Sequence, residues 1–165
     1  MKELTLNVMQ IREIVSEDKA DVLRLLESTG VFQNHEIKVA EEVIEESLDP
    51  AAGYHSICMV NEENRAVAYA CWGPTPCTEG TFDLYWIAVH PDFQKHGIGK
   101  QLLEHIELQI SCSGGRLMLI ETSSFSDYED ARRFYARSGY RQIAMIQDYY
   151  RPGDHKIIYA KNFVS

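Results

Sequence analysis

The stretch Gln94-Lys95-His96-Gly97-Ile98-Gly99-Lys100 decides how this chain is read. It follows an apolar run, Leu84 to Val89, with the composition of a strand, and it opens a run from Ile98 to Ile110 whose apolar residues recur at helical spacing. A strand, a glycine-bearing loop and a helix in that order can cradle phosphate. Gly97 and Gly99 carry no Cβ, so a ligand can approach the backbone and the chain can take conformations barred to other residues. The unpaired N–H groups of a first helical turn point at such a ligand, and the helix dipole favours negative charge there. Lys95 and Lys100 add mobile positive charge. The same glycines also suit a plain strand-to-helix turn. Two common phosphate loops are excluded by spacing. The dinucleotide fingerprint needs G-x-G-x-x-G and the P-loop needs G-x-x-x-x-G-K-[ST], whereas the pattern here is Q-x-x-G-x-G-K followed by Gln101.

Working outward, Thr81 to Val89 reads as a strand with Asp83, Tyr85, Ile87 and Val89 on one face and Phe82, Leu84, Trp86 and Ala88 on the other. Upstream, Gln10 to Val15 predicts a first strand, and Ser16 predicts the N-cap of a helix over Glu17 to Ser28. A second helix is predicted from about Glu36 to Leu48, stopped by Asp49-Pro50. Tyr54 to Val60 and Arg65 to Trp72 read as a hairpin around the polar turn Asn61 to Asn64, and Pro74-Thr75-Pro76 ends the pairing. Downstream, Gly114-Gly115 closes the helix after the loop. There follow a strand from Arg116 to Thr122, a helix from about Tyr128 to Arg137 ending at Gly139, and strands over Tyr140 to Gln147 and His155 to Phe163. Without repeats, low-complexity tracts or linkers, residues 1–165 read as a single α/β domain.

The chain is long enough to bury a substantial core, and its 45% hydrophobic and 25% charged residues are ordinary for a soluble globular domain. No apolar run approaches the roughly 20 residues of a membrane-spanning helix. The start, Met-Lys-Glu-Leu-Thr-Leu-Asn, lacks the apolar centre of a secretory signal, so a cytoplasmic location is the default expectation. Cys58, Cys71, Cys77 and Cys112 show no CxxC spacing and no neighbouring His cluster, which predicts neither a metal site nor a disulfide framework; Cys58 and Cys71 read as small buried apolar residues. A net charge of −9 weighs against nucleic acid as a partner. An anionic ligand therefore needs local compensation, which Lys95, His96 and Lys100 supply, while acids gather elsewhere, as at Glu41-Glu42 and Glu45-Glu46.

The Q-x-x-G-x-G loop resembles the acetyl-CoA pyrophosphate loop of the GNAT superfamily of N-acetyltransferases, whose consensus is [RQ]-x-x-G-x-[GA]. Three further segments agree in order. Leu84-Tyr85-Trp86-Ile87-Ala88-Val89-His90-Pro91 resembles the superfamily's fourth strand, Leu117 to Thr122 its fifth, and Ala131 to Tyr140 the following helix with its glycine stop. The likeness runs from Ile11 to the C-terminus and is most specific between Leu84 and Tyr140. It implies the single-domain GNAT fold, a mixed twisted sheet flanked by helices. It also implies acetyl-CoA as cosubstrate and direct transfer of the acetyl group to a primary amine of a small molecule or protein, by a monomer or homodimer. A non-catalytic GNAT-fold sensor of acyl-CoA is the alternative, against which Tyr135 and Glu121 count. Tyr150-Arg151-Pro152-Gly153-Asp154 resembles a Tyr-x-x-Gly-Asp turn of a bacterial GNAT subgroup whose acceptors are mostly unassigned.

The resemblance distributes roles. The backbone of Gln94, Lys95, His96, Gly97, Ile98, Gly99 and Lys100 holds the cofactor, and Ile87, Ala88 and Val89 face the pantetheine arm where the fourth strand splays from the fifth. A free N–H there would polarise the thioester carbonyl. Tyr135 is the expected acid: a phenol of pKa about 10 stays protonated at neutral pH and suits a departing thiolate whose conjugate acid lies near about 8.5. Tyr135 also fits a helix packed on the sheet. An amine of pKa about 10.4 arrives protonated, so a base helps; Glu121 leads, with Asp83 and Tyr85 as runners-up. Arg132 and Arg133 either touch cofactor phosphates or face solvent. Phe32 and His35, in the connection between the first helices, together with Trp72, Asp83, Tyr85 and Tyr149, are expected to line the acceptor pocket. Tyr150, Asp148 and Asp154 join them to suggest a cationic acceptor, since aromatic faces and carboxylates both attract cations.

Overall fold

The computed structural model describes residues 9–163, so the reading of the first seven residues lies outside the described residues. Among these residues seven strands form one mixed sheet in the order β1-β2-β3-β4-β5-β7-β6, flanked by four helices. The contacts divide into two compact units. One takes the chain up to Cys71 and again over Trp86–Leu103; the other takes Trp72–Tyr85 and the chain from Glu104 onward.

In the first unit β1 is Gln10–Glu13, α1 Lys19–Ser28, α2 Asn34–Ser47 and β2 His55–Val60; β3, Ala66–Pro74, begins there and has its last three residues in the second unit. Ser16 does not cap α1. A short 3-10 turn over Ser16–Asp18 intervenes, the Ser16 hydroxyl bonds Glu17, and Asp18 reaches back to accept the Val15 N–H at 2.8 Å, bracing the turn without a side-chain cap bond to α1. Asp18 also accepts two bonds from the Arg12 guanidinium, at 2.6 and 2.9 Å. Burial works against its charge, but Arg12 and the Val15 N–H outweigh burial and hold the carboxyl below its ordinary range. At α2 the Gln33 N–H donates to Glu36 at 2.7 Å, half of a capping box. α1 and α2 bury Val22, Leu25, Leu26, Ala40 and Ile44 in a core shared with Cys58, Tyr69 and Cys71. Burial pushes the Cys58 thiol up to about 12 and the Cys71 thiol up to about 11, as inert core residues require.

β4, Thr81–Val89, and α3, Ile98–Cys112, run through both units. The second unit adds β5, Leu117–Ser123, α4, Glu129–Arg137, β6, Arg141–Arg151, and β7, Asp154–Asn162. α3 ends where the Gly115 N–H returns to the Ile110 carbonyl at 2.8 Å. Glycine is required there, because a Cβ would stand 2.8 Å from that carbonyl oxygen and 2.9 Å from the Phe82 ring. β4 and β5 pair in parallel from Thr81↔Leu117 to Leu84↔Ile120; β5 continues to Ser123 against β7, and β4 continues to Val89. β6 outruns its predicted end at Gln147 and reaches Arg151. Its ladder passes from Ile146↔Lys156 to Arg151↔Asp154 with Gln147 to Tyr150 bulged out between. The bulge is held by Asp148, whose φ is +52°, whose N–H donates to His155 Nδ1 at 2.9 Å and whose Oδ1 accepts the Gly153 N–H at 2.8 Å.

Register and alternation assign the faces of this unit's strands. Asp83, Leu119 and Ala160 lie on one face, followed by Glu121, Ile158 and Ala144, then Ser123, Lys156 and Ile146. The other face carries Phe82, Leu84, Met118, Ile120 and Tyr159, and there the Tyr135 ring of α4 packs 6.0 Å from that of Tyr159. Among the described residues no helix is long and apolar enough to cross a membrane.

Candidate active site

The loop before α3 is shaped by two left-handed residues, Lys95 at φ +63° and Gly97 at φ +78°. Left-handed φ is costly for a residue with a Cβ, so glycine at 97 has a backbone reason. A Cβ built at Gly97 would meet nothing within 4 Å, so the peptide is open to a ligand on that side. The loop passes into α3 with the Gln101 N–H bonded to the Gly97 carbonyl at 3.0 Å, which puts Ile98 and Gly99 in the first turn of the helix. Ile98 contributes backbone alone, its side chain being buried. Gln94 anchors the loop by donating its amide to the Val89 carbonyl at 3.0 Å, so its side chain braces the turn. Lys95, His96 and Lys100 are exposed around it. These features fit a pyrophosphate: peptide N–H donors at a helix start, an approach without a Cβ, and nearby cations.

Ala88 is buried and Ile87 and Val89 half-buried at the end of β4, beyond the last β4–β5 pair. Tyr135 is buried among aromatic rings. Burial pushes its phenol above its ordinary value, so it is protonated at neutral pH.

Asp83, Tyr85 and Glu121 share one strand face of the second unit. Asp83 accepts the Thr75 hydroxyl at 2.6 Å. Glu121 is exposed and pairs with Lys156 at 2.6 Å, and the Lys156 ammonium sits 4.0 Å from the centre of the Tyr149 ring. Burial works against the Lys156 charge, but the bond to Glu121 and the contact with Tyr149 outweigh it and raise its pKa, so this ammonium stays charged. Tyr149 stacks edge-on against Tyr150 at 5.0 Å, Arg151 lies 4.2 Å over Phe125, and Asp154 is bonded by Ser123.

Several expectations are corrected. Trp72 is 5% exposed and is a core residue rather than a pocket lining, because β3 is buried along most of its length. Phe32 packs edge-on against Trp86 at 5.2 Å and joins the first unit's core, and His35 lies exposed in the first turn of α2. Arg132 donates to the Ser123 and Phe125 carbonyls at 2.6 and 2.8 Å, fastening α4 to the preceding loop, while Arg133 pairs with Glu129 at 2.7 Å. The wall around Glu121 is not simply acidic: Lys156 faces Glu121, and Arg151 approaches Asp154 at 3.7 Å. Lys156 is the residue sequence reasoning missed. Its signal was a lysine standing before Ile157-Ile158 in a strand, where a solvent-facing lysine and a paired one look alike.

A family model described as an acetyltransferase (GNAT) domain matches residues 53–142, more than half of the chain. A protein from Desulfovibrio desulfuricans assigned to the GNAT acetyltransferases is 41% identical, with a TM-score of 0.91 over 95% of this chain and 100% of that one. An aminoglycoside 6'-N-acetyltransferase solved with coenzyme A superposes with a TM-score of 0.76 at 17% identity, over 94% and 98% of the two chains, a likeness of fold. The tRNA(Met) cytidine acetyltransferase TmcA of Aeropyrum pernix is 36% identical over 76 residues, 46% of this chain; the chain spans a tenth of that relative's length. With the glycine loop at the start of α3 and a matching family model, the chain belongs to the GNAT superfamily and is an N-acetyltransferase that uses acetyl-CoA.

Proposed function

We propose that this chain moves the acetyl group of acetyl-CoA directly to a primary amine of a small molecule or protein. The loop carries the reading: Lys95 and Gly97 are left-handed just before the N-terminus of α3, and there is open space beside Gly97. Its backbone binds the pyrophosphate, and the ends of Ile87, Ala88 and Val89, beyond the last β4–β5 pair, orient the pantetheine arm. Acetyl-CoA supplies the acetyl group as a thioester. Glu121 accepts the proton that the acceptor ammonium must lose, with Asp83 and Tyr85 beside it on the same strand face. Tyr135, kept neutral by burial, gives its proton to the departing thiolate, and the proton that the nitrogen sheds as the amide forms restores the phenol. Holding donor and acceptor in attacking geometry supplies the larger share of the acceleration, as in any reaction of two bound partners.

Thiol release from acetyl-CoA, followed across amines, polyamines, amino acids, aminoglycosides and lysine peptides, tests the reading. Turnover with at least one amine class, abolished when the loop is altered, is the expected result. Tight coenzyme A binding without thiol release from any of them would replace it with the sensor reading.

A further inference from the structure

We propose that Lys156 is a specificity-determining residue and that the acceptor carries a carboxylate beside the amine that is acetylated, as an α-amino acid head group does. The inference rests on the acetyltransferase reading and deepens it.

The starting observation is an ion pair built the wrong way round for a structural one. Lys156 is the more buried partner, its side chain 11% exposed, whereas Glu121 is 47% exposed. A strand ammonium is costly to bury, and structural pairs repay that cost by saturating the buried member with hydrogen bonds. Here one carboxylate oxygen lies at 2.6 Å, and Tyr149 is the second partner, as a hydrogen-bond acceptor and through a ring whose centre is 4.0 Å away. An ammonium has three donors. With Glu121 and Tyr149 each taking one, the third is left for a further anion.

The pair therefore presents a plus and a minus side by side on the face that carries Asp83 and Tyr85. A ligand with its own ammonium and carboxylate one carbon apart matches it charge for charge. The ammonium goes to Glu121, the proposed base, and the carboxylate to Lys156. The exchange has a chemical consequence, because an acceptor carboxylate on Lys156 relieves Glu121 of its cation just as the acceptor's proton arrives. A purely cationic acceptor gets no such help. It meets Glu121 already neutralised and a second positive charge beside it, so the excess of acids over the whole chain does not translate into cation preference here.

The test compares matched pairs of acceptors, each an amino acid and the amine left when its carboxylate is removed, by kcat/KM in thiol-release assays. Wild type is expected to favour the carboxylated member at least tenfold. Lys156→Met brings the two within twofold, through KM of the carboxylated member, and Lys156→Arg restores most of the preference. Coenzyme A affinity by calorimetry is unchanged in both variants, which separates this from a folding defect. Preference of the wild type for the decarboxylated amine, or a ratio that Lys156→Met leaves unmoved, overturns the proposal. Should neither member be turned over by a protein that binds coenzyme A, the two amines are titrated into that complex. Equal affinities overturn the inference, whereas tighter binding of the carboxylated one that Lys156→Met removes supports it even though the transferase reading fails.

Discussion

Arg12–Asp18 in the first unit and Lys156–Glu121 in the second have the same 2.6 Å separation and opposite construction. In the first pair the acid is the buried member, 5% exposed. It is saturated by two bonds from Arg12, the Val15 N–H and the Cys58 thiol, so nothing else can bind to it. In the second pair the base is buried, the acid stands in the open, and one partner is an aromatic face. A saturated pair fixes a chain entry, here that of α1. An open one retains capacity for a ligand. Burial and bond count distinguish the two, and distance does not.

The strongest way to break this contrast is to remove the charge of the closed pair. Asp18→Asn leaves the Arg12 guanidinium without its counter-ion and is expected to cost about 3–5 kcal/mol of stability in urea titration. A loss under about 1 kcal/mol would place Arg12–Asp18 with ordinary exposed pairs. The pH dependence has a definite sign. Asp18 is held below its ordinary 3.8, so its contribution is fully present above that value and is lost as pH falls through the lower folded value. This part of the acid sensitivity disappears in Asp18→Asn.

The glycine loop extends the open class to backbone donors. Gly97→Glu places a negative charge among N–H groups meant for phosphate and should weaken coenzyme A binding at least about a hundredfold, about 2.7 kcal/mol by calorimetry. Stability should fall only by the about 1–2 kcal/mol that a left-handed non-glycine residue costs. Undiminished affinity would remove the loop from the cofactor site.

Tyr135 tests the contrast from the other side, since it is buried and yet assigned to chemistry. Tyr135→Phe is expected to lower turnover at least tenfold, about 1.4 kcal/mol of transition-state stabilisation, with coenzyme A affinity unchanged. Wild-type turnover under conditions where chemistry limits the rate would return the residue to packing against Tyr159. The smallest stability effect belongs to the open acid. Glu121→Gln keeps an amide oxygen for Lys156 and should cost less stability than Asp18→Asn while lowering kcat/KM for amines, read in the same thiol-release assay. A stability loss as large as that of Asp18→Asn would make both pairs structural.

Local chemistry explains which features were legible in advance. Gly97, Gly115 and the apolar spacing of Ile98, Leu102, Ile106 and Ile110 act through backbone conformation and helical period, which neighbouring residues settle, and the predicted α3 and β4 match the observed ones closely. Ser16 misled because a 3-10 turn over Ser16–Asp18 precedes α1, braced by Asp18 against the Val15 N–H and Arg12 from β1. The end of β6 misled because Gln147 to Tyr150 bulge outward on bonds to His155 in the returning strand and Gly153 in the turn before it.

By itself the sequence determined the order of strands and helices, the glycine turn that opens α3 at residues 94–100 and the family to which the chain belongs. These rest on periodicity, glycine conformation and spacing, all local quantities. Only the tertiary structure decided that Trp72 is interior, that Phe32 packs on Trp86, that Arg132 fastens a loop, and that Glu121 stands beside Lys156. Glu121 and Lys156 lie 35 positions apart and meet because β5 and β7 pair antiparallel with Glu121 opposite Ile158 and Ser123 opposite Lys156. Shifting that register by one residue would send every side chain of one strand to the other face, and only the packing of the two strands fixes it.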